Sequence, residues 1–280
     1  MCTAMFVLVG QDAISKHLTQ DYPVSEVIWA RFTFHFLFLL PFIAPRLMVL
    51  AKTRQPVLQI SRGLLILGAS GTVVTALHFI PLAETIVLFS INPLIVTALS
   101  APLLKERVGP RQWAGVVTGF LGVLLIVRPG FAAIQPASLL LLVGATSYAL
   151  SQLITRRLGQ IEDTRTTVLY TGLSCSIVMS AIVPFTWVEP DLLGWVLMSG
   201  AGFLSLLGHL AATRAFQAAP AATVSPFNYS GLVWATLFGF LLFGDLPDGW
   251  TVVGALIIVG SSLYVLARRR RIKREEISGN

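Results

Sequence analysis

Long apolar stretches separated by short polar connections make up most of the chain. Each stretch approaches the roughly 20 mainly apolar residues that an α-helix needs to cross a bilayer, and the alternating ten-residue segments of an outer-membrane barrel do not occur. The pattern therefore predicts ten transmembrane helices. The predicted helices are residues 2–18, 24–44, 61–80, 84–104, 111–128, 136–155, 166–186, 192–213, 220–243 and 249–267.

The composition supports lipid as the main solvent of the chain. Of the 280 residues, 55% are hydrophobic and 12% are charged, and the mean hydropathy is +0.79. A soluble domain carries about 25% charged residues, which is about twice as many. We therefore predict one all-α transmembrane domain over residues 1–280, without an appended soluble domain.

The placement of Lys and Arg predicts the orientation. The net charge is +7, but the basic residues lie at the ends of apolar segments rather than on a polar face, which argues against nucleic acid as a partner. If the N-terminus is cytoplasmic, the inner loops and the C-terminal end hold 17 of the 20 basic residues, Arg62 among them. The positive-inside rule then places both termini in the cytoplasm of a bacterial-type inner membrane. The basic tail, residues 271–280, is a stop-transfer anchor or binds lipid headgroups.

An internal repeat divides the chain into two halves. A shift of 139 residues lays 83–130 on 222–269 without a gap, so that Glu106 meets Asp245 and Gly115 meets Gly254. We predict one repeat over residues 1–130 and a second over 131–270, each with five helices. Because five is odd, the second repeat enters the membrane from the opposite side. Inverted repeats are typical of secondary transporters, whose substrate site lies near the midplane between the repeats.

Several short motifs resemble those of a known family. They are Asp12–Lys16, Arg31-Phe32, Arg62–Leu65, Pro81–Glu84 leading into Asn92-Pro93, Lys105-Glu106 with Gly115 and Gly122, Ala221–Ser230, and Asp245–Gly254. With these motifs the chain resembles the drug/metabolite transporter superfamily, and within it the EamA-type ten-helix permeases. The resemblance covers essentially the whole chain. It implies a substrate site between helices 1, 3, 4, 6, 8 and 9, and it places Tyr148 where related aromatic amino-acid exporters carry a large aromatic residue.

Polar and aromatic residues within the predicted spans are the candidates for a substrate site. Such groups are costly against lipid, so they are expected to face a cavity or one another. We expect a cavity lined by Gln11, His78, Phe79, Asn92, Tyr148, Gln152, His209, Asn228 and Tyr229. For each polar residue, interhelical hydrogen bonding is the alternative role.

Two further features predict a gating ion pair and hinges in the helices. Asp12 and Arg31 lie one to two turns from the outer surface on neighbouring antiparallel helices, so we expect a structural or gating ion pair, with Lys16 as the alternative partner. Pro93 and Pro226 interrupt the fourth and ninth helices, where a proline removes a backbone donor. We expect hinges at these prolines, and simple kinks for packing are the alternative.

The scarcity of charged residues inside the spans restricts the substrate. No cluster of acids suits a metal cation and no cluster of basic residues suits an anion, so we expect no metal and no cofactor. The prediction is a monomeric transporter, not an enzyme, that exports neutral or zwitterionic small molecules by alternating access. Amino acids with aromatic or other apolar side chains are the first choice.

Two alternatives remain open. The motifs Asp12–Lys16 and Arg31-Phe32 also resemble those of S-adenosylmethionine uptake permeases, and Asp12 is the acid available for that cationic solute. A more distant alternative is an intramembrane serine protease, because Gly68–Gly71 spells G-x-S-G and His209 is a conceivable base for Ser70.

Overall fold

The computed structural model describes residues 1–104, 109–127, 136–219, 224–261 and Tyr264. Predictions about the tail 271–280, about Glu106 and about the boundary between residues 130 and 131 fall outside these residues. The described chain is helical and contains no strand.

Helices lie at all ten predicted segments. They are α1 (Cys2–Leu18), α2 (Val24–Ile43), α3 (Leu47–Leu50), α4 (Pro56–Phe79), α5 (Leu82–Phe89), α6 (Asn92–Leu104), α7 (Pro110–Val127), α8 (Pro136–Leu158), α9 (Thr164–Ile182), α10 (Leu192–Ala218), α11 (Ser230–Phe243) and α12 (Gly249–Ser261). Short 3-10 helices occupy Ala44–Arg46, Val183–Phe185 and Ser225–Tyr229.

Six helical stretches of the described residues are long and apolar enough to cross a membrane. They are Val24–Leu50, Pro56–Phe79, Leu82–Leu99, Pro136–Leu158, Thr164–Phe185 and Leu192–Ala218. Shorter apolar helices cover Trp113–Ile126, Phe227–Phe243 and Gly249–Ser261. The chain is thus an all-helical, multi-pass membrane protein. The count of ten crossings and the inverted arrangement of the halves stay predictions.

The helices pack in an order that differs from their order in the chain. Helix α1 packs against α10 and α11, α2 packs against α9 and α10, and α4 packs against α8 and α9. Small residues permit close approach: a Cβ on Gly144 of α8 would collide with Thr72 of α4. Elements from both halves of the sequence therefore surround a common centre.

The fourth predicted span is broken into α5 and α6. Helix α5 ends at Phe89, and α6 begins at Asn92 with Pro93 in its second position. Pro93 has no N–H, so the helical bond to the carbonyl of Phe89 is missing. Pro226 lies in the first turn of the 3-10 helix that precedes α11. Both interruptions occur, and their role as hinges stays a prediction.

The predicted start of the third span needs correction. The span was expected to begin at residue 61, with Arg62 counted among the inner loops, but α4 begins at Pro56. Arg62 lies inside this helix and is 3% exposed. Hydropathy placed the start of this helix too late because Gln59 and Arg62 are strongly polar. Both residues are nevertheless buried against α9, where they form hydrogen bonds.

Candidate functional site

A central cavity lies where α1, α2, α4, α5, α8 and α10 meet. It offers about 80 Å³ to the centres of water-sized molecules, which is room for several waters or for part of a small solute. Its polar wall consists of Asp12, Arg31, Ser70, Ser90, Asn92, Tyr148, His209 and Asn228. Met5, Leu8, Ile66, Ala69, Val73, Ile86 and Phe89 form its apolar wall.

One side of the central cavity carries a buried ion pair. Arg31 Nη1 of α2 donates to Asp12 Oδ1 of α1 at 3.1 Å, and the residues are 6% and 8% exposed. Gln11 Nε2 also donates to Asp12 Oδ1, at 3.2 Å. Lys16, the alternative partner, instead pairs with Asp245 at 2.7 Å. A cation and an anion thus face the cavity together, which suits a zwitterionic group.

Two asparagines join the broken helices at the cavity. Asn92 Nδ2, at the start of α6, donates to the carbonyl of Ala145 in α8 at 3.0 Å. Asn228 Nδ2, in the 3-10 helix before α11, donates to Asn92 Oδ1 at 3.4 Å. Within the part of the chain that the structure describes, Asn228 Oδ1 has no hydrogen-bond partner. The two interruptions are therefore in contact through side chains that also line the cavity.

An aromatic wall lies on the α8 side. The rings of Tyr148 and Phe89 have centroids 5.5 Å apart at an interplanar angle of 40°. Both side chains are half-buried. Stacked or edge-on contact with such rings favours flat, apolar parts of a solute. The cavity thus combines charge on one side with aromatic surface on another.

Two residues of the protease alternative reach the cavity without contacting each other. Ser70 of α4 and His209 of α10 both line it. Among the described residues, neither Ser70 Oγ nor His209 Nε2 has a hydrogen-bond partner. A serine becomes a nucleophile only when a base accepts its proton. This geometry gives the serine no such base.

The predicted site residues fall into three groups. Asn92, Tyr148, His209 and Asn228 line the central cavity together with Asp12 and Arg31. Gln152 lines a smaller adjoining chamber. The others lie elsewhere: Gln11 is buried behind Asp12, His78 Nδ1 contacts the carbonyl of Thr19 at 3.0 Å, Phe79 is 66% exposed, and Tyr229 belongs to the apolar core.

Sequence reasoning missed Phe89, Ser90 and Arg62. Phe89 and Ser90 lie at the end of α5, just before the break at Asn92-Pro93. That break was predicted from the sequence and could have pointed to these two neighbouring residues. Arg62 lines the adjoining chamber together with Ile66, Tyr148 and His209, which also line the central cavity. The two spaces are therefore neighbours.

The comparisons with known proteins agree on one family. The model of the EamA-like transporter family matches residues 1–128 and again residues 135–267. An S-adenosylmethionine uptake transporter of Rickettsia bellii is 26% identical over 96% of this chain and 92% of its own. A riboflavin transporter of Rhizobium johnstonii is 30% identical over 94% and 88% of the two chains.

Two further similarities extend these matches. A pseudopaline exporter of Pseudomonas aeruginosa is 27% identical over 91% of this chain and 90% of its own. A solved crystal structure covers 96% of this chain and 97% of its own with a TM-score of 0.71 at 18% identity. At that identity the likeness shows a shared fold.

Proposed function

The chain belongs to the EamA-like transporter family, and from this premise we propose that it takes up S-adenosylmethionine or a solute of the same chemistry. Such a solute joins a flat heterocycle to an α-amino acid and a positive centre. Several relatives are named S-adenosylmethionine uptake transporters, which favours this uptake over the amino-acid export expected from the sequence. Amino-acid export becomes the weaker proposal.

The observation that carries the proposal is that the Asp12–Arg31 pair and the Tyr148–Phe89 aromatic wall line the same central cavity. Asp12 is the one acid that lines this cavity among the described residues. It would bind the ammonium or sulfonium cation, while Arg31 would bind the carboxylate. Tyr148 and Phe89 would hold the heterocycle. Each charged hydrogen bond contributes about 1.5–3 kcal/mol.

The proposed mechanism is alternating access between two inverted halves. Two matches of one family model support two copies of a five-helix unit. The broken helices, which meet through Asn92 and Asn228, would change conformation around the bound solute. We further propose ten crossings, cytoplasmic termini and an inner-membrane location. Reporter fusions after α5–α6 and after α11 test this arrangement, because inverted halves place those two positions on opposite sides.

Counterflow in proteoliposomes tests the substrate. Labelled S-adenosylmethionine should exchange with internal unlabelled S-adenosylmethionine and saturate. Asp12→Asn should lower this exchange about tenfold, whereas Asp21→Asn, at an exposed loop position, should leave it unchanged. Exchange of apolar amino acids without S-adenosylmethionine would restore the weaker proposal.

Riboflavin is a second candidate, because the 30% identical relative is a riboflavin transporter and the aromatic wall suits its ring system. Riboflavin carries neither of the charges that Asp12 and Arg31 bind. Saturable riboflavin exchange that is insensitive to Asp12→Asn would favour it over the cationic solute.

A further inference from the structure

The Arg62 side chain of α4 is a buried cation that forms hydrogen bonds with four threonines. Its Nε donates to Thr155 Oγ1 at 2.5 Å, and Nη2 donates to Thr213 Oγ1 at 3.0 Å. Its Nη1 donates to the carbonyl of Thr167 at 3.3 Å and to the hydroxyl of Thr171. All four acceptors are neutral. They accept hydrogen bonds from the guanidinium but do not neutralise its positive charge.

No carboxylate compensates this charge within the part of the chain that the structure describes. The ion pairs found there join Lys16 to Asp245 and Arg31 to Asp12, and neither acid reaches Arg62. A buried charge is costly unless an opposite charge accompanies it. The chemical partner that Arg62 lacks is therefore an anion.

A small chamber beside Arg62 is rich in hydrogen-bond donors. Gln152 lines this chamber and is 2% exposed. Its side chain is within hydrogen-bonding reach of the Tyr148 hydroxyl, and its amide atoms have no other partner among the described residues. Thr213 accepts from Arg62 and keeps its own hydroxyl proton. A guanidinium has five N–H groups, of which four are used here. Groups that can donate hydrogen bonds on three residues thus line one space.

We propose that this chamber, formed by Arg62, Gln152 and Thr213, binds a small anionic group: a chloride ion or a carboxylate. The chamber offers about 10 Å³ to the centres of water-sized molecules, close to the space of one water. Chloride is somewhat larger than a water molecule, so its binding requires small shifts of the lining side chains. Tyr148 and His209 line both this chamber and the central cavity. An anion can therefore enter as a free ion or as the carboxylate of a solute that has left Arg31, since one carboxylate cannot occupy both sites at once. Only the second source depends on the proposed transport function.

Thermal unfolding of the purified full-length protein in detergent tests the site without any transported solute. Sodium isethionate, whose anion carries a tetrahedral sulfonate larger than a halide or a carboxylate, is replaced at constant ionic strength by sodium chloride or by sodium acetate. At about thirty times the dissociation constant, chloride should raise the melting temperature by about 4 °C. Arg62→Gln should lose this rise, and Arg54→Gln, at an exposed position, should keep it.

The pattern of responses distinguishes the two sources. A rise with chloride alone identifies a free halide, whereas a rise with acetate as well identifies a carboxylate, as a solute would supply. Equal melting temperatures in chloride, acetate and isethionate would overturn the proposal, since water alone would then occupy the chamber.

A second variant keeps the test decisive if Arg62→Gln does not fold. Gln152→Leu removes the amide donors and leaves the threonine contacts of Arg62 intact. It should at least halve the rise in melting temperature. A rise of the wild-type size in Gln152→Leu would contradict the assignment. Loss of chloride binding with intact counterflow would separate this proposal from the transport function.

Discussion

Replacing Asp12 by asparagine leaves the buried Arg31 guanidinium without its counter-ion. The two charges touch at 3.1 Å between Nη1 and Oδ1, and neither residue is more than 8% exposed. Charges about 4 Å apart attract by about 4 kcal/mol at an effective dielectric constant of 20. Breaking such a pair on one side destabilises a protein by about 3–5 kcal/mol. We expect Asp12→Asn to lower the free energy of unfolding by about 3 kcal/mol.

A double-mutant cycle isolates the interaction. Arg31→Gln should be similarly destabilising, but the double variant Asp12→Asn/Arg31→Gln removes both charges. Its loss should fall short of the sum of the single losses by about 2 kcal/mol. Unfolding by denaturing detergent in mixed micelles, followed by circular dichroism, measures all four proteins. Strict additivity of the single losses would refute the pairing.

A second ion pair in the same protein provides a matched control. Lys16 Nζ and Asp245 Oδ2 are closer together, at 2.7 Å, but their side chains are 13% and 34% exposed. Solvent screens such a pair, and exposed pairs contribute about 0–1 kcal/mol. The same cycle on Lys16→Gln and Asp245→Asn should give the smaller coupling. A larger coupling here than at Asp12 would show that burial does not set the strength of these pairs.

The remaining predictions concern packing, the cavity wall and a helix cap. Gly202→Ala in α10 should lower the free energy of unfolding by about 1–3 kcal/mol because its Cβ would collide with α2, whereas Gly200→Ala meets open space and should not destabilise. Tyr148→Ala should reduce counterflow with unchanged folded yield, and Tyr148→Phe, which keeps the ring, should retain it. Asp191 caps α10 by accepting a backbone N–H, which holds its pKa below 3.8. Asp191→Ala should therefore melt lower than wild type above pH 4, and the two melting temperatures should converge as the pH falls through the lowered pKa.

The sequence predicted the helices well because their apolar lengths are set by the membrane, but it could not place polar residues inside them. The third span was predicted to begin at residue 61, which left Gln59 outside it and Arg62 counted with the inner loop. In the structure their side chains donate to Thr167 of the neighbouring helix, a partner more than 100 residues away. No local pattern carries that information.

Some residues of the candidate site could be predicted from the sequence and others could not. The Asp12–Arg31 contact followed from two antiparallel helices and a shared depth, both of which can be read from the sequence. Phe89, by contrast, is one phenylalanine among many in apolar spans, and its position opposite Tyr148 depends on how α5 packs near α8. His78 and Phe79 were expected in the cavity, but they lie at the end of α4.

The sequence left two roles open for the polar residues inside the helices: interhelical hydrogen bonding and contact with a solute. The hydrogen bonds in the structure bear on this choice. Thr155 and Thr171 donate to the carbonyls four residues earlier and accept from Arg62, so they satisfy the interior without needing a solute. Among the described residues, Ser70 and His209 have hydrogen-bonding atoms without a partner and line the central cavity, whereas Gln11 and Gln59 have such atoms and line neither the cavity nor the chamber beside it. In a bilayer an unmet polar atom is costly unless water or a solute reaches it. An unmet hydrogen bond therefore marks a contact for a polar solute only where the same side chain also lines one of these two spaces.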